Sequence, residues 1–192
     1  MKTKLIVLLM AATASSFSTS AMAADSYTID SRHTFPSFEI NHLGFSTQRG
    51  RFNHTTGKVT IDTKSASGGS IDVTIETASI STGLAELEEH LRGKDFLDAA
   101  RYPQIKFVST KLEFNKDSLT GVDGNLTLHG VTKPVHLTID HFHCGFNPIA
   151  LKSECGVNAY TVIKRSEFDV DKYVPAIGDD VKIVLQVEAT KD

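Results

Sequence analysis

The sequence of 192 residues is slightly acidic, with 20 Lys and Arg, 23 Asp and Glu, and a formal net charge of −3. It lacks the clustered Lys and Arg that nucleic acids and anionic membrane surfaces require, so it is predicted to bind neither. After residue 23, no apolar run approaches the ~20 residues that span a bilayer, which indicates a soluble mature protein with no integral membrane segment.

The N-terminus has the three parts of a secretory signal peptide. Two lysines begin it, an apolar stretch opens at Leu5, and the Ala-Met-Ala at 21–23 has the form of a cleavage site. We therefore predict a signal peptide at 1–23 and a single mature domain at 24–192, whose net charge without those two lysines is −5. The leader looks bacterial and indicates the periplasm, an oxidising compartment.

Most of the mature chain alternates apolar and polar residues, as antiparallel strands with one buried face do. We predict a mainly β fold, an antiparallel barrel of about eight strands, because closure removes exposed sheet edges. The apolar positions are Val59 and Ile61, then Ile71, Val73 and Ile75, then Ile105 and Phe107, then Val135, Leu137 and Ile139, and finally Val181, Ile183, Leu185 and Val187.

One segment, about 83–100, departs from this alternation. Leu84, Leu87 and Leu91 recur at helical spacing, and Pro103 ends the helical part. We predict one helical excursion laid across the barrel.

The stretch from His141 to Cys155 has two competing interpretations. His141, His143 and Cys144 are soft metal ligands in close spacing, but no HExxH or CxxC motif accompanies them. Two cysteines allow one intrachain pairing, and an oxidising compartment favours it. We predict a Cys144–Cys155 disulfide across a hairpin and no bound metal.

No catalytic motif stands out in the sequence. There is no G-x-S-x-G elbow and no phosphate-binding loop, and adjacent carboxylates such as Glu88 and Glu89 diverge on a helix. We predict a protein that is not an enzyme and has no cofactor. Eleven phenylalanines without tryptophan fit either an ordinary core or a ligand cavity.

Four stretches carry a resemblance to a known family. They are "YTIDSRHTFPSFEINHLGFSTQRGRF" (27–52), "HLRGKDFLDAARYPQIKFVST" (90–110), "GNLTLHGVTKPVHLTI" (124–139) and "IKRSEFDVDKYVPAIGDDVKIVLQVEA" (163–189). Together they resemble the YceI-like family of bacterial periplasmic proteins. The resemblance implies a lipocalin-like barrel with a long apolar cavity that binds polyisoprenoids, isoprenoid quinones or similar long-chain amphiphiles.

The resemblance also implies where a ligand would lie. Polar groups at the cavity mouth would be Asp30, His33, His42 and Arg51, although a structural network at a barrel end explains them equally. The residues predicted for the apolar wall are Phe38, Ile40, Phe45, Phe52, Leu91, Phe96, Leu97, Ile105, Phe107, Leu126 and Leu128.

The predicted function is therefore binding, transport or sequestration of such a lipid in the periplasm. Two alternatives stay open at this point. One is a metal-binding or enzymatic protein that uses His141 and His143, and the other is a stress-related structural protein with a collapsed cavity. The sequence leaves the oligomeric state open, a homodimer included.

Overall fold

The computed structural model describes residues 24–62 and 68–192, so the predicted signal peptide at 1–23 lies outside the described residues. One α-helix, α1, spans Ala85–Arg92, and short 3-10 turns occupy Thr77–Ser79 and Arg165–Phe168. The strands are β1 (Asp25–Ile29), β2 (Ser37–His42), β3 (Ser46–Phe52), β4 (Thr55–Ile61), β5 (Gly69–Glu76), β6 (Ile80–Ser81), β7 (Gln104–Asn115), β8 (Ser118–Leu128), β9 (Val131–Asn147), β10 (Lys152–Lys164) and β11 (Ile177–Lys191).

The sheet closes into a barrel because its first and last strands pair. β1, β4, β5, β7, β8, β9, β10 and β11 follow one another as antiparallel neighbours. The pairs Tyr27–Lys191 and Ile29–Ala189 join β1 to β11 and complete the ring. The predicted antiparallel barrel of about eight strands is confirmed.

β11 has two different partners along one edge. Ala189 to Lys191 pair with β1, whereas Val181 to Val184 pair with β2. β2 continues to β3, and β3 pairs with the two-residue β6. The wall is therefore continuous at the end that carries the β9–β10 turn, which we call the closed end. It divides toward the end that carries the β2–β3 turn, which we call the open end.

The helix is shorter than the predicted excursion over 83–100. It ends at Arg92, before Gly93, and a series of turns follows to residue 101. The Glu88 carboxylate accepts hydrogen bonds from the backbone N–H groups of Thr82 (2.7 Å) and Gly83 (3.1 Å), which fixes the turn before the helix and lowers the pKa of Glu88. No helix among the described residues is long and apolar enough to cross a membrane.

The predicted Cys144–Cys155 disulfide is confirmed. The two residues are direct cross-strand partners on β9 and β10, and their Cα atoms lie 4.1 Å apart. Cys155 is buried and packs with Tyr27, Val59 and Ala189 near the closed end. The disulfide therefore cross-links the β9–β10 hairpin beside the part of the barrel where β1 and β11 meet.

Replacing both Cys144 and Cys155 with alanine is expected to lower the free energy of unfolding by about 2–3 kcal/mol, because the unfolded chain loses its cross-link. Urea unfolding without reductant measures the change. Reductant should lower the midpoint of the wild-type protein toward that of the variant and leave the variant unaffected. Equal midpoints for the oxidised wild type and the variant would contradict the assignment.

Candidate functional site

The barrel interior holds a cavity of about 460 Å³ rather than being filled by side chains. Its walls come from the inward-facing residues of the strands and from the inner face of α1. Inward-facing aliphatic residues such as Leu137 on β9 and Ile183 on β11 remain partly exposed to this space. An interior left open in this way argues against the collapsed-cavity alternative.

The predicted wall residues, with one exception, line this cavity. Those that line it are Phe38, Ile40, Phe52, Leu91, Phe96, Leu97, Ile105, Phe107, Leu126 and Leu128. Phe45 does not: it lies in the β2–β3 turn and its side chain is 89% exposed. The prediction for Phe45 was wrong because a tight turn places the residue outside the barrel.

Many lining residues were absent from the predicted wall, and two sets of them lie on β9 and β11. The alternating residues of β9 and β11 face the cavity along much of the barrel. They are Val135, Leu137, Ile139, Val181, Ile183, Leu185 and Val187. The period-two alternation already identified these positions as one buried face, so the same signal could have assigned them to the wall.

A β-bulge in β9 changes which residues face inward. Ile139 pairs with Ala159, but the next pair is His141 with Asn158, so Asp140 is an extra residue on β9. After the bulge Phe142 faces the cavity, and His141 lies on the outer wall. Without the bulge, the alternation would have brought His141 and His143 into the apolar interior.

The two histidines instead line a shallow groove on the outer surface of β9, β10 and β11. His141 and His143 share this groove with His33 and Glu188. Among the residues that the structure describes, no group of three or more His, Cys, Asp or Glu side chains is arranged to hold a metal ion. The disulfide also removes the Cys144 thiolate as a ligand.

The cavity reaches the surface at the open end. Its exposed lining residues all lie there: His42, Gln48 and Arg49 on β2 and β3, His90 on α1, and Tyr173 in the loop before β11. These five residues define the mouth.

A surface ion pair holds one of the mouth residues. The Arg49 guanidinium donates to the Glu39 carboxylate at 2.8 Å and lowers the pKa of Glu39. The cation at the mouth therefore already has an anionic partner within the protein.

Of the four predicted mouth residues, only His42 lies at the mouth. Arg51 is on the outer face of β3, where its guanidinium stacks 4.5 Å from the centre of the Phe35 ring. Asp30 and His33 lie in the loop after β1, beside Glu188 of β11. Local sequence gave the polar character of these residues, but the barrel topology places three of them away from the opening.

Asp30 organises the loop after β1. Its carboxylate accepts hydrogen bonds from the backbone N–H of Arg32 (2.9 Å) and from the Arg32 side chain (3.2 Å), and it contacts His33 Nδ1 at 3.0 Å. The hydrogen bonds from Arg32 hold the pKa of Asp30 well below its usual range, although burial acts in the opposite direction. The structural-network interpretation therefore describes Asp30.

Arg165 anchors the loop that forms one side of the mouth. Its side chain is only 5% exposed, and its guanidinium donates to the carbonyl oxygens of Val170 (2.7 Å), Lys172 (2.9 Å), Ile177 (3.0 Å) and Gly178 (2.8 Å). Burial lowers the pKa of Arg165, with Asp179 and Asp171 acting against it. One buried cation thus satisfies carbonyl groups of the irregular loop before β11 and of the first two residues of β11.

Comparison with known proteins assigns the chain to a family. A family model described as the YceI-like domain matches residues 27–189. The chain belongs to the YceI-like family. Protein YceI of Escherichia coli is 38% identical to this YceI-like chain over 174 residues, which cover 90% of both proteins. A Yersinia pestis relative is 40% identical over the same length, covering 90% of this chain and 89% of its own.

Solved structures share the YceI-like fold. The Campylobacter jejuni YCEI protein has a TM-score of 0.69 at 29% identity, covering 80% of this chain and 90% of its own. BcnA of Burkholderia cenocepacia has a TM-score of 0.71 at 25% identity, covering 83% and 98%. A polyisoprenoid binding domain from Saccharophagus degradans reaches 0.65 at 15% identity, covering 89% and 100%, and it shares the fold alone.

The Asp30 network predicts a pH-dependent contribution to stability. A carboxyl group with a lowered pKa in the folded state stabilises the fold above its unfolded pKa of about 3.9 and loses that effect as the pH falls toward the folded value. Asp30→Asn should therefore lower the free energy of unfolding by about 1–2 kcal/mol near neutral pH. Urea unfolding as a function of pH measures the difference, which should shrink below about pH 4. A difference that is constant with pH would refute the role of the charge.

Arg165→Lys keeps the positive charge but cannot reproduce the planar fork of donors. We expect a loss of about 2–3 kcal/mol in the free energy of unfolding and faster amide hydrogen exchange in residues 169–178. Arg101→Lys, at an exposed arginine, is the matched control. Unchanged exchange in the loop of the Arg165 variant would show that the hydrogen bonds to its carbonyls do not hold it.

Proposed function

We propose that this protein binds a long-chain amphiphile, such as a polyisoprenoid or an isoprenoid quinone, in the barrel cavity and carries or sequesters it in the periplasm without catalysis. The observation that carries the proposal is an apolar cavity of about 460 Å³ that opens at one end. This volume is within the range of small-molecule sites. The walls offer almost no hydrogen-bonding groups, so they suit a hydrocarbon chain.

The energy of burial favours a long chain over a short one. Each buried CH₂ contributes about 0.8 kcal/mol, and micromolar affinity corresponds to about 8 kcal/mol. About ten buried carbons would therefore reach that value before the cost of immobilising the ligand, which is several kcal/mol or more. Chains of roughly fifteen or more carbons are the ligands that this cavity would retain.

The family supports this proposal in a general way. The Saccharophagus degradans domain with the same fold is a polyisoprenoid binding domain, and extension of that property to this chain is part of our proposal. The predicted signal peptide at 1–23 supports a periplasmic location. A long-chain lipid is insoluble in that aqueous compartment and needs a protein that shields it from water.

Native mass spectrometry of protein purified from the periplasm, followed by lipid extraction, tests the proposal. We expect a co-purifying long-chain lipid, or stoichiometric binding when a prenyl alcohol is added in detergent. Repeated absence of both would reject the function.

A variant that fills the cavity gives a sharper test. Thr161 faces the cavity on β10, and the adjacent Val162 points outward with 57% exposure. Thr161→Trp should lower lipid binding by about ten-fold or more because the indole occupies the space of the chain. Val162→Trp is the matched control and should bind as the wild type does. Equal lipid binding by both variants in the mass-spectrometric assay would argue against the cavity as the binding site.

A further inference from the structure

Four large apolar side chains are exposed around the cavity mouth, and we call them the apolar rim. They are Leu43 and Phe45 in the β2–β3 turn, Leu84 just before α1, and Tyr173 in the loop before β11. Their exposed fractions are 49%, 89%, 56% and 52%. The wall of the cavity is apolar as well, so apolar side chains lie on both the inner and the outer side of the mouth.

Hydrogen bonds and ring contacts hold the rim segments next to the cavity. The backbone N–H of Leu43 donates to the carbonyl of Ala176 at 3.1 Å, which joins the β2–β3 turn to the Tyr173 loop. The Tyr173 ring centre lies 6.1 Å from that of Phe96, which lines the cavity. Leu84 precedes the helix whose Leu87 also lines it. An apolar chain leaving the cavity would therefore meet the rim first.

The β2–β3 turn has a leucine, Leu43, at a backbone conformation that Asn or Gly adopts at lower energy. Leu43 and Gly44 have positive φ values of 54° and 76°, and the Phe45 N–H donates to the His42 carbonyl at 3.0 Å. A left-handed conformation costs a residue such as leucine roughly 1 kcal/mol or more, whereas Asn or Gly adopts it readily. Strained positions of this kind concentrate at functional sites.

The rim segments also lack charge. Residues 40–48, 79–85 and 173–178 contain no Asp, Glu, Lys or Arg, although 22% of the whole chain is charged. Next to them, Lys172 lies 3.4 Å from the Asp95 carboxylate and is thereby paired. Because an unpaired charge is costly to move into hydrocarbon, an uncharged rim is complementary to an apolar medium.

We propose that the apolar rim docks onto the surface of a phospholipid bilayer with the cavity mouth facing the membrane. Phe45 and Leu84 enter the acyl-chain boundary, and the long-chain amphiphile passes between bilayer and cavity without crossing water. This inference rests on the proposed function, because it supplies the route by which that ligand enters. Docking is driven by apolar burial rather than by charge, since the predicted mature chain is acidic and lacks basic clusters.

The closed end offers a matched comparison. Phe146, Ile149 and Leu151 in the β9–β10 hairpin are 65%, 93% and 73% exposed, and the segment 145–151 is also uncharged. This hairpin lies at the opposite end of the barrel from the mouth, so docking through it would give the ligand no path. Variants of the two ends therefore distinguish docking through the mouth from nonspecific binding of exposed apolar residues to the bilayer.

The experiment uses phosphatidylcholine vesicles loaded with the prenyl alcohol geranylgeraniol. Sedimentation measures vesicle binding, and mass spectrometry measures transfer of the alcohol to the protein. Leu43→Asn with Phe45→Ser should weaken vesicle binding and slow transfer by about ten-fold or more. Phe146→Ser with Ile149→Ser should change neither, and added salt should not weaken binding of the wild type.

Delivery of geranylgeraniol from detergent separates the two proposals. If the rim variant fills from detergent as well as the wild type but not from vesicles, the docking proposal is supported. If it fills equally from vesicles, or if only the hairpin variant loses vesicle binding, the docking proposal is overturned while the proposed function stands. If the wild type does not fill even from detergent, the proposed function fails, and the docking proposal fails with it.

Discussion

The shared edge of β11 is the constraint on which the rest of the structure depends. Ala189 to Lys191 pair with β1 and close the ring. Val181 to Val184 pair with β2 instead, so the sheet continues from β11 into β2, β3 and β6. A strand that paired with β1 along its whole length would make a barrel closed in the same way at both ends. Because the partner changes partway, one end stays tight and the other becomes the mouth.

The two ends are stabilised by different chemistry. At the closed end, the Asp192 carboxylate accepts hydrogen bonds from Ser26, Thr28 and Lys58, which pins the C-terminus to β1 and β4 and lowers the pKa of Asp192. At the open end, the irregular loop before β11 is held from inside by the buried Arg165. Charged side chains thus stabilise both ends, but the rim segments around the mouth carry no charge.

Period-two alternation was sufficient to predict the barrel, and two cysteines in a predicted oxidising compartment were sufficient to predict the disulfide. Ten of the eleven predicted wall residues line the cavity, but the sequence-based wall left out the inward-facing residues of β9 and β11. It failed at Phe45 because the turn at Leu43 and Gly44 lacks the usual Asn-Gly signature. The sequence also left Asp30 open between a mouth group and a structural network, since the distance of Asp30 from the mouth depends on which segments meet after closure. Pairing between strands that are distant in the sequence cannot be recognised from a short stretch of residues. The shorter helix reflects Gly93, where the backbone becomes extended.

Because of the bulge at Asp140, the length of the β9–β10 hairpin determines which of its side chains face the cavity, as much as its composition does. Every residue of β9 beyond the bulge owes its face to that one extra position. Deleting it would turn His141 and His143 toward hydrocarbon and move Cys144 away from its partner, although no other residue had changed. The stretch from 140 to 155 should therefore accept many single substitutions but few insertions or deletions. A change in its length would have to be matched on β10 to keep the lipid-facing and water-facing sides apart.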